Sequence, residues 1–108
     1  MVVPAKAGPI TTECEFYHVY ILASRRHGTL YIGITNDLRR RMEEHRLGVG
    51  SEFVRHHKVT RLVYVETFDN PESAITREKR LKKWNRDWKI RLIEQDNLEW
   101  RDLSHLVG

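Results

Sequence analysis

Cysteine is nearly absent from this chain. Cys14 stands alone among 108 residues, which excludes a disulfide framework and any multi-cysteine zinc site. A reducing, cytoplasmic setting is the resulting expectation. No apolar run approaches the roughly 20 residues that span a bilayer, so no membrane partner is expected. The opening MVVPAKAGPI lacks the basic start and long apolar stretch of a secretory signal. Proline is scarce, and two of the three, Pro4 and Pro9, flank Gly8 in the first fifteen residues. Without hydrophobic periodicity there, residues 1–15 read as a flexible lead-in. The chain shows no internal repeat and no low-complexity tract.

What is present suits one domain. A length of 108 residues leaves no room for a second full core. With 40% hydrophobic and 31% charged residues, the composition fits a soluble globular fold rather than a disordered chain. The domain is placed at residues 16–103, with 104–108 as a C-terminal tail.

The net charge of +4 is unevenly placed. From Thr76 to Arg91, eight basic residues face only Glu78 and Asp87, so this segment carries +6 and the remainder sums to −2. Such a segment suits a polyanion, most often nucleic acid. A solvated helix face accounts for it equally well on charge alone. Trp84 and Trp88 are interleaved with these cations, and their i,i+4 spacing favours a helix face packed on the core over a base-stacking platform.

FYHVYILAS (Phe16–Ser24) is rich in β-branched and aromatic residues and reads as a buried strand. RRHGT is a turn, and LYIGIT (Leu30–Thr35) is a second strand completing a hairpin. Thr35 or Asn36 is expected to cap a helix that Asp37 also favours, ending at Gly48 with Gly50 following. Ser51–Thr60 gives no strong signal. RLVYVETF (Arg61–Phe68) reads as a third strand. Asn70 and Pro71 start a helix that runs to Trp84 or Asn85, because proline at the first helical position loses no needed hydrogen bond. Another helical segment covers Trp88–Gln95. The expected order β-β-α-β-α-α defines an α+β fold, a small three-stranded antiparallel sheet flanked by helices.

Charged residues fall on faces that should be buried. Leu38, Arg41, Met42 and His45 recur at i, i+3, i+4 and i+7, and Ala74, Ile75, Glu78 and Leu81 at i, i+1, i+4 and i+7, each set on one helix face. A buried charge must be paired, hydrogen-bonded or metal-bound. Helical spacing alone favours an Arg41–Glu78 ion pair and a satisfied core histidine at His45. Along the strands, Tyr20 shares a face with His18 and Leu22, while Tyr31 shares one with Gly33 and Thr35. A turn centred near Arg25–Arg26 sets Tyr20 across from Tyr31. Gly33 inside a strand marks a place of close approach.

The ordered set VYI (Val19–Ile21), LYIGITNDLRRRMEEH (Leu30–His45) and AITREKRLKKW (Ala74–Trp84) resembles the GIY-YIG nuclease superfamily. LVYVE (Leu62–Glu66) and NLEWRDL (Asn97–Leu103) make it similar to the small stand-alone branch, near the N-terminal nuclease domain of the bacterial excinuclease. The resemblance spans residues 17–103. It implies a GIY-YIG nuclease-like fold and catalytic roles for Tyr20, Tyr31, Arg41, His45 and Glu78, with Glu78 as the metal ligand. Gly33 matches the second triplet. The first triplet departs from the pattern, since His18 stands where the family has glycine. Asn36 and Lys58 are auxiliary candidates for substrate contact, and Lys82 and Lys83 extend the candidate DNA surface.

The resemblance implies a Mg²⁺-dependent DNA endonuclease in repair or recombination, with Mn²⁺ as an alternative ion. One carboxylate suits a one-metal mechanism, because Mg²⁺ keeps much of its hydration. Arg41 offers a fork to phosphate oxygens. Tyr20 is the expected proton acceptor, tuned down from about 10 by a metal or a neighbouring cation, and Tyr31 and His45 orient water or phosphate. The alternative is a nucleic-acid-binding module of the same fold that cleaves little by itself. A protein partner and the oligomeric state stay open.

Overall fold

A computed structural model describes residues 16–49 and 51–106. The lead-in at 1–15 with Cys14, Gly50, and the last two residues of the tail lie outside the described residues. Strand β1 (Tyr17–Ala23) is central, with β2 (Leu30–Thr35) and β3 (Arg61–Phe68) antiparallel on either side. Helices α1 (Leu38–Leu47) and α2 (Glu52–His57) separate β2 from β3, and α3 (Pro71–Lys83) and α4 (Arg86–Asp96) follow β3. This is an α+β fold with a three-stranded antiparallel sheet. A short 3₁₀ turn at Ser104–Leu106 lies in the segment read as a tail.

The central strand explains its own sequence. Five consecutive residues, Val19 to Ala23, are buried because β1 has a neighbour on each edge and helices over both faces. Val19, Ile21 and Ala23 join Val63, Ala74, Leu81, Ile93 and Trp100 beneath α3 and α4. Tyr20 and Leu22 join Leu38, Met42, Val54, Val59 and Leu62 on the opposite side. The sheet is thus a partition with α1 and α3 on different faces.

Helix ends follow local chemistry. Asp37, rather than Thr35 or Asn36, is the N-cap of α1 and accepts from the Arg40 amide at 3.1 Å. The Thr35 hydroxyl, two residues before the cap, instead accepts from the Asp37 amide at 3.0 Å. Gly48 closes the helix at φ 81°, where a side chain is disfavoured. Asn70 caps α3 with Pro71 in its first turn, and Asn85 caps α4. That second cap starts a new helix, so Trp84 and Trp88 do not share one continuous helical face. Helix α2 is not legible in the polar stretch Ser51–Thr60; Ser51 caps it and Val54 is its buried anchor.

The hairpin register also differs from expectation. Tyr20 pairs with Gly33, and Tyr31 with Leu22. The Gly28 amide bonds the Arg25 carbonyl at 2.8 Å and His27 adopts φ 57°, centring the turn on Arg26–His27. Moving the centre by one residue shifts the register by two and keeps both tyrosines on the same face.

The last segment is sewn to the edge of β3. The Asn97 amide group donates to the Val63 and Arg101 carbonyls, and Leu103 N–H bonds the Leu62 carbonyl at 2.7 Å. Buried Trp100 donates its indole N–H to Glu94 at 2.6 Å.

Candidate active site

Tyr20 reaches the site from β1, Tyr31 from β2, and Arg41 and His45 from successive turns of α1. Their convergence follows from spacing: Leu38, Met42 and His45 are buried on one stripe of α1, with Arg41 at its margin. The Tyr20 hydroxyl lies 3.0 Å from His45 Nε2, and Arg41 Nε donates to it at 3.4 Å. The Tyr31 ring is 6.3 Å from that of Tyr20 and 5.6 Å from His45.

Gly33 is explained by this packing. A Cβ there would lie 2.5 Å from the Tyr20 hydroxyl oxygen, so the ring of the neighbouring strand occupies the space a side chain would need.

The electrostatics of the cluster oppose one another. Burial, only partly offset by the Arg41 hydrogen bond, pushes the Tyr20 hydroxyl up to about 12. The Glu78 charge adds to that rise, so this carboxylate is felt at Tyr20 although α3 packs on the other face. Burial, and then the Arg41 charge, lower the pKa of His45. A neutral, 2% exposed imidazole is the result, and its Nδ1 has no hydrogen-bond partner among the described residues. The expected downward tuning of Tyr20 is therefore absent from the protein groups alone.

Arg41 and Glu78 do not form the ion pair that spacing suggested. Arg41 bonds Glu44 at 3.1 Å, and Glu78 bonds Lys82 at 3.0 Å. Each takes a partner within its own helix because the sheet separates α1 from α3. On α3, Ala74 and Leu81 are buried but Ile75 is 42% exposed, so the apolar stripe is narrower than its sequence pattern. The Glu78 side chain is 14% exposed, and the Lys82 end that covers it is solvent-accessible.

The remaining candidates scatter. Asn36 precedes the α1 cap and lines a separate cavity of about 700 Å³ with His18, Thr67 and Leu103. None of Tyr20, Tyr31, Arg41, His45 or Glu78 lines that cavity. Lys58 is the exposed C-cap of α2 with φ 54°, and Lys83 is exposed at the end of α3. One residue escaped the sequence reading: Phe53 of α2 stacks on Tyr31 at 5.9 Å and lies 4.4 Å from the His57 ring. Its only sequence signal is an aromatic placed two residues after the Ser51 cap.

Glu78 fits a divalent ion as a single carboxylate whose partner is a solvent-accessible ammonium. No group of three or more His, Cys, Asp or Glu side chains forms a metal cage among the described residues. One protein ligand with water completing the shell matches the hydration Mg²⁺ retains.

The sheet, the paired tyrosines and the arginine–histidine helix define a class that comparison with known proteins identifies. The GIY-YIG catalytic domain model matches residues 16–91, and the chain belongs to that nuclease family. Within it the chain groups with the UPF0213 proteins. It is 35% identical to one from Haloquadratum walsbyi over 81 residues, covering 75% of this chain and 90% of that one. It is 37% identical to one from Clostridium perfringens over 82 residues, covering 76% and 87%. The solution structure of a UPF0213 protein from Bacillus halodurans shares the fold with a TM-score of 0.52 and 30% identity. That match covers 84% of this chain and 96% of the other.

Proposed function

We propose that this protein is a divalent-metal-dependent endonuclease that hydrolyses phosphodiester bonds in DNA. The observation carrying this reading is the Tyr20 hydroxyl held between Arg41 at 3.4 Å and His45 at 3.0 Å. A fold needing only an ion pair for stability does not require a buried phenol, a neutral imidazole and a guanidinium around one oxygen.

Each residue has a definable part. Arg41 is partly exposed and always charged, so it can leave Glu44 and fork onto phosphate oxygens. Tyr20 accepts a proton from the attacking water as its own moves toward His45 Nε2, whose lowered pKa keeps it unprotonated beforehand. Tyr31 orients the water or the phosphate beside them. Glu78 would hold the metal, displacing the exposed Lys82 ammonium that it now bonds. A divalent cation there, Mg²⁺ or Mn²⁺, would cancel the Glu78 charge that adds to the burial-driven rise of Tyr20, and would stabilise the departing oxyanion. Lys82, Lys83, Asn36 and Lys58 are assigned to the DNA surface. A role in repair or recombination in the cytoplasm belongs to the same reading.

Cleavage of plasmid, single-stranded, flap and branched DNA, with and without Mg²⁺, tests it. Wild-type protein should cut at least one substrate only with metal, and Glu78→Ala should abolish cutting with little change in unfolding midpoint. Undiminished cutting by pure Glu78→Ala protein sinks the assignment. The second reading, a binding module with little cleavage, is favoured by the Lys82–Glu78 contact and the raised Tyr20 pKa. Binding without cutting under Mg²⁺ or Mn²⁺ on all four substrates selects it.

A further inference from the structure

Trp88 is half exposed, an uncommon placement for the largest side chain on a segment carrying +6. Its ring meets that of Trp84 edge to face at 5.7 Å. Trp84 packs against the core beneath it, with the Arg77 guanidinium 5.1 Å from its ring centre. The two indoles, Arg91, Leu92 and Gln95 line an open cleft of about 370 Å³. No acidic residue lines it, and Lys83, Lys89 and Arg91 make no ion pair among the described residues. The platform is fixed, because Arg86 donates to the Gly28 carbonyl and ties the first turn of α4 to the hairpin turn.

We propose that this cleft binds an unstacked nucleobase of a nucleic-acid strand running past the site. Aromatic faces with neighbouring arginine are suited to stacking any base, because every base has a π-face. Arg91 in its lining, with Lys83 and Lys89 next to the two indoles in sequence, matches a phosphate backbone rather than an apolar protein surface. Glu78 and Trp84 are six residues apart at the end of one helix, about 9 Å along its axis. The cleft and Glu78 are therefore carried by the same helix and its C-cap, so one strand can run past both. The inference rests on the nuclease reading for what happens at Glu78, but the cleft itself is a binding site.

Anisotropy titrations in EDTA test it, using a labelled 12-nucleotide single strand and the blunt duplex of the same sequence. Trp88→Ala and Trp88→Leu should weaken single-strand binding at least about fivefold. Trp88→Phe should keep it within about threefold, and duplex affinity should change less than about twofold in all three. Wild-type indole emission should quench on adding the single strand. Single-strand binding by Trp88→Leu equal to wild type overturns the proposal. So does equal weakening for strand and duplex, or a change confined to self-association in sedimentation. Because these titrations need no metal, failed cleavage by the wild type removes the nuclease reading while leaving this result to be read independently.

Discussion

Each face of the sheet carries a tyrosine–arginine network, and the two differ in how fully their polar groups are satisfied. Beneath α3, the Tyr64 hydroxyl donates to Glu66 at 3.0 Å, and Arg77 clamps the same carboxylate at 2.7 and 3.4 Å. Every polar group there faces a complementary one. Beneath α1, Tyr20 meets Arg41 and His45, but no carboxylate joins the phenol to the guanidinium and His45 Nδ1 lacks a partner among the described residues. Burial raises both phenols to about 12. The pKa values alone do not separate structure from function; the satisfaction of the surrounding groups does. The first network is closed, and the second leaves Arg41 and Tyr20 able to take a new oxygen ligand.

Paired substitutions give the largest expected contrast. Tyr20→Phe and Tyr64→Phe each delete one buried hydroxyl and should each cost about 1 kcal/mol in urea unfolding. Only Tyr20→Phe should affect chemistry, lowering the cleavage rate by about 10²–10⁴-fold. Tyr64→Phe should cut within about twofold of wild type. Equal losses of activity would make the two networks equivalent and remove the special role given to Tyr20.

Gly33→Ala should come next. The new methyl meets the fully buried Tyr20 ring, not the flexible tip of a surface side chain. Shifting that ring should cost about 1–3 kcal/mol and lower cleavage at least about tenfold. An alanine variant with wild-type melting and cutting would show that the Tyr20–Gly33 contact does not position the hydroxyl.

A smaller effect separates the networks by pH. His45 has a folded pKa below 6.5, through burial and then the Arg41 charge. The unfolded chain therefore takes up the proton first as pH falls, so the stability linked to neutral His45 is full above about 6.5 and lost below it. Urea unfolding at about pH 7.5 and pH 5 should show a larger acid loss for wild type than for His45→Gln. His18, also lowered by burial, is common to both proteins and cancels in the difference. Parallel losses would mean that His45 is not held neutral by the fold.

The sequence exposes much of this arrangement but not its three-dimensional partition. The β1 alternation assigns Val19 and Ile21 to one face and Tyr20 to the other, as found, and the α1 stripe places Arg41 and His45 together. The Arg41–Glu78 pairing does not form because helical spacing says which residues share a face, not which face of the sheet a helix covers. The hairpin register escapes because the turn depends on His27 entering left-handed backbone, which a polar RRHGT string does not announce. Helix α2 is illegible because six residues carry only Phe53 and Val54 as apolar anchors, too few for a periodic stripe.

That last element supplies the smallest and most discriminating test. Phe53 touches the proposed catalytic cluster from outside, stacking on Tyr31 without contacting Tyr20, Arg41 or Glu78 through any ring contact or hydrogen bond among the described residues. It is 40% exposed, so Phe53→Leu should cost no more than about 1 kcal/mol, the scale of a lost aromatic contact. If Phe53 holds Tyr31 at its present angle, cleavage should fall about three- to tenfold, and Phe53→Tyr should restore it because a phenol stacks in the same way. The loss should appear in kcat rather than KM, since a misdirected Tyr31 impairs alignment of the reacting groups more than capture of DNA. An unchanged kcat would confine the proposed network to β1, β2, α1 and Glu78 of α3, leaving α2 as a cover.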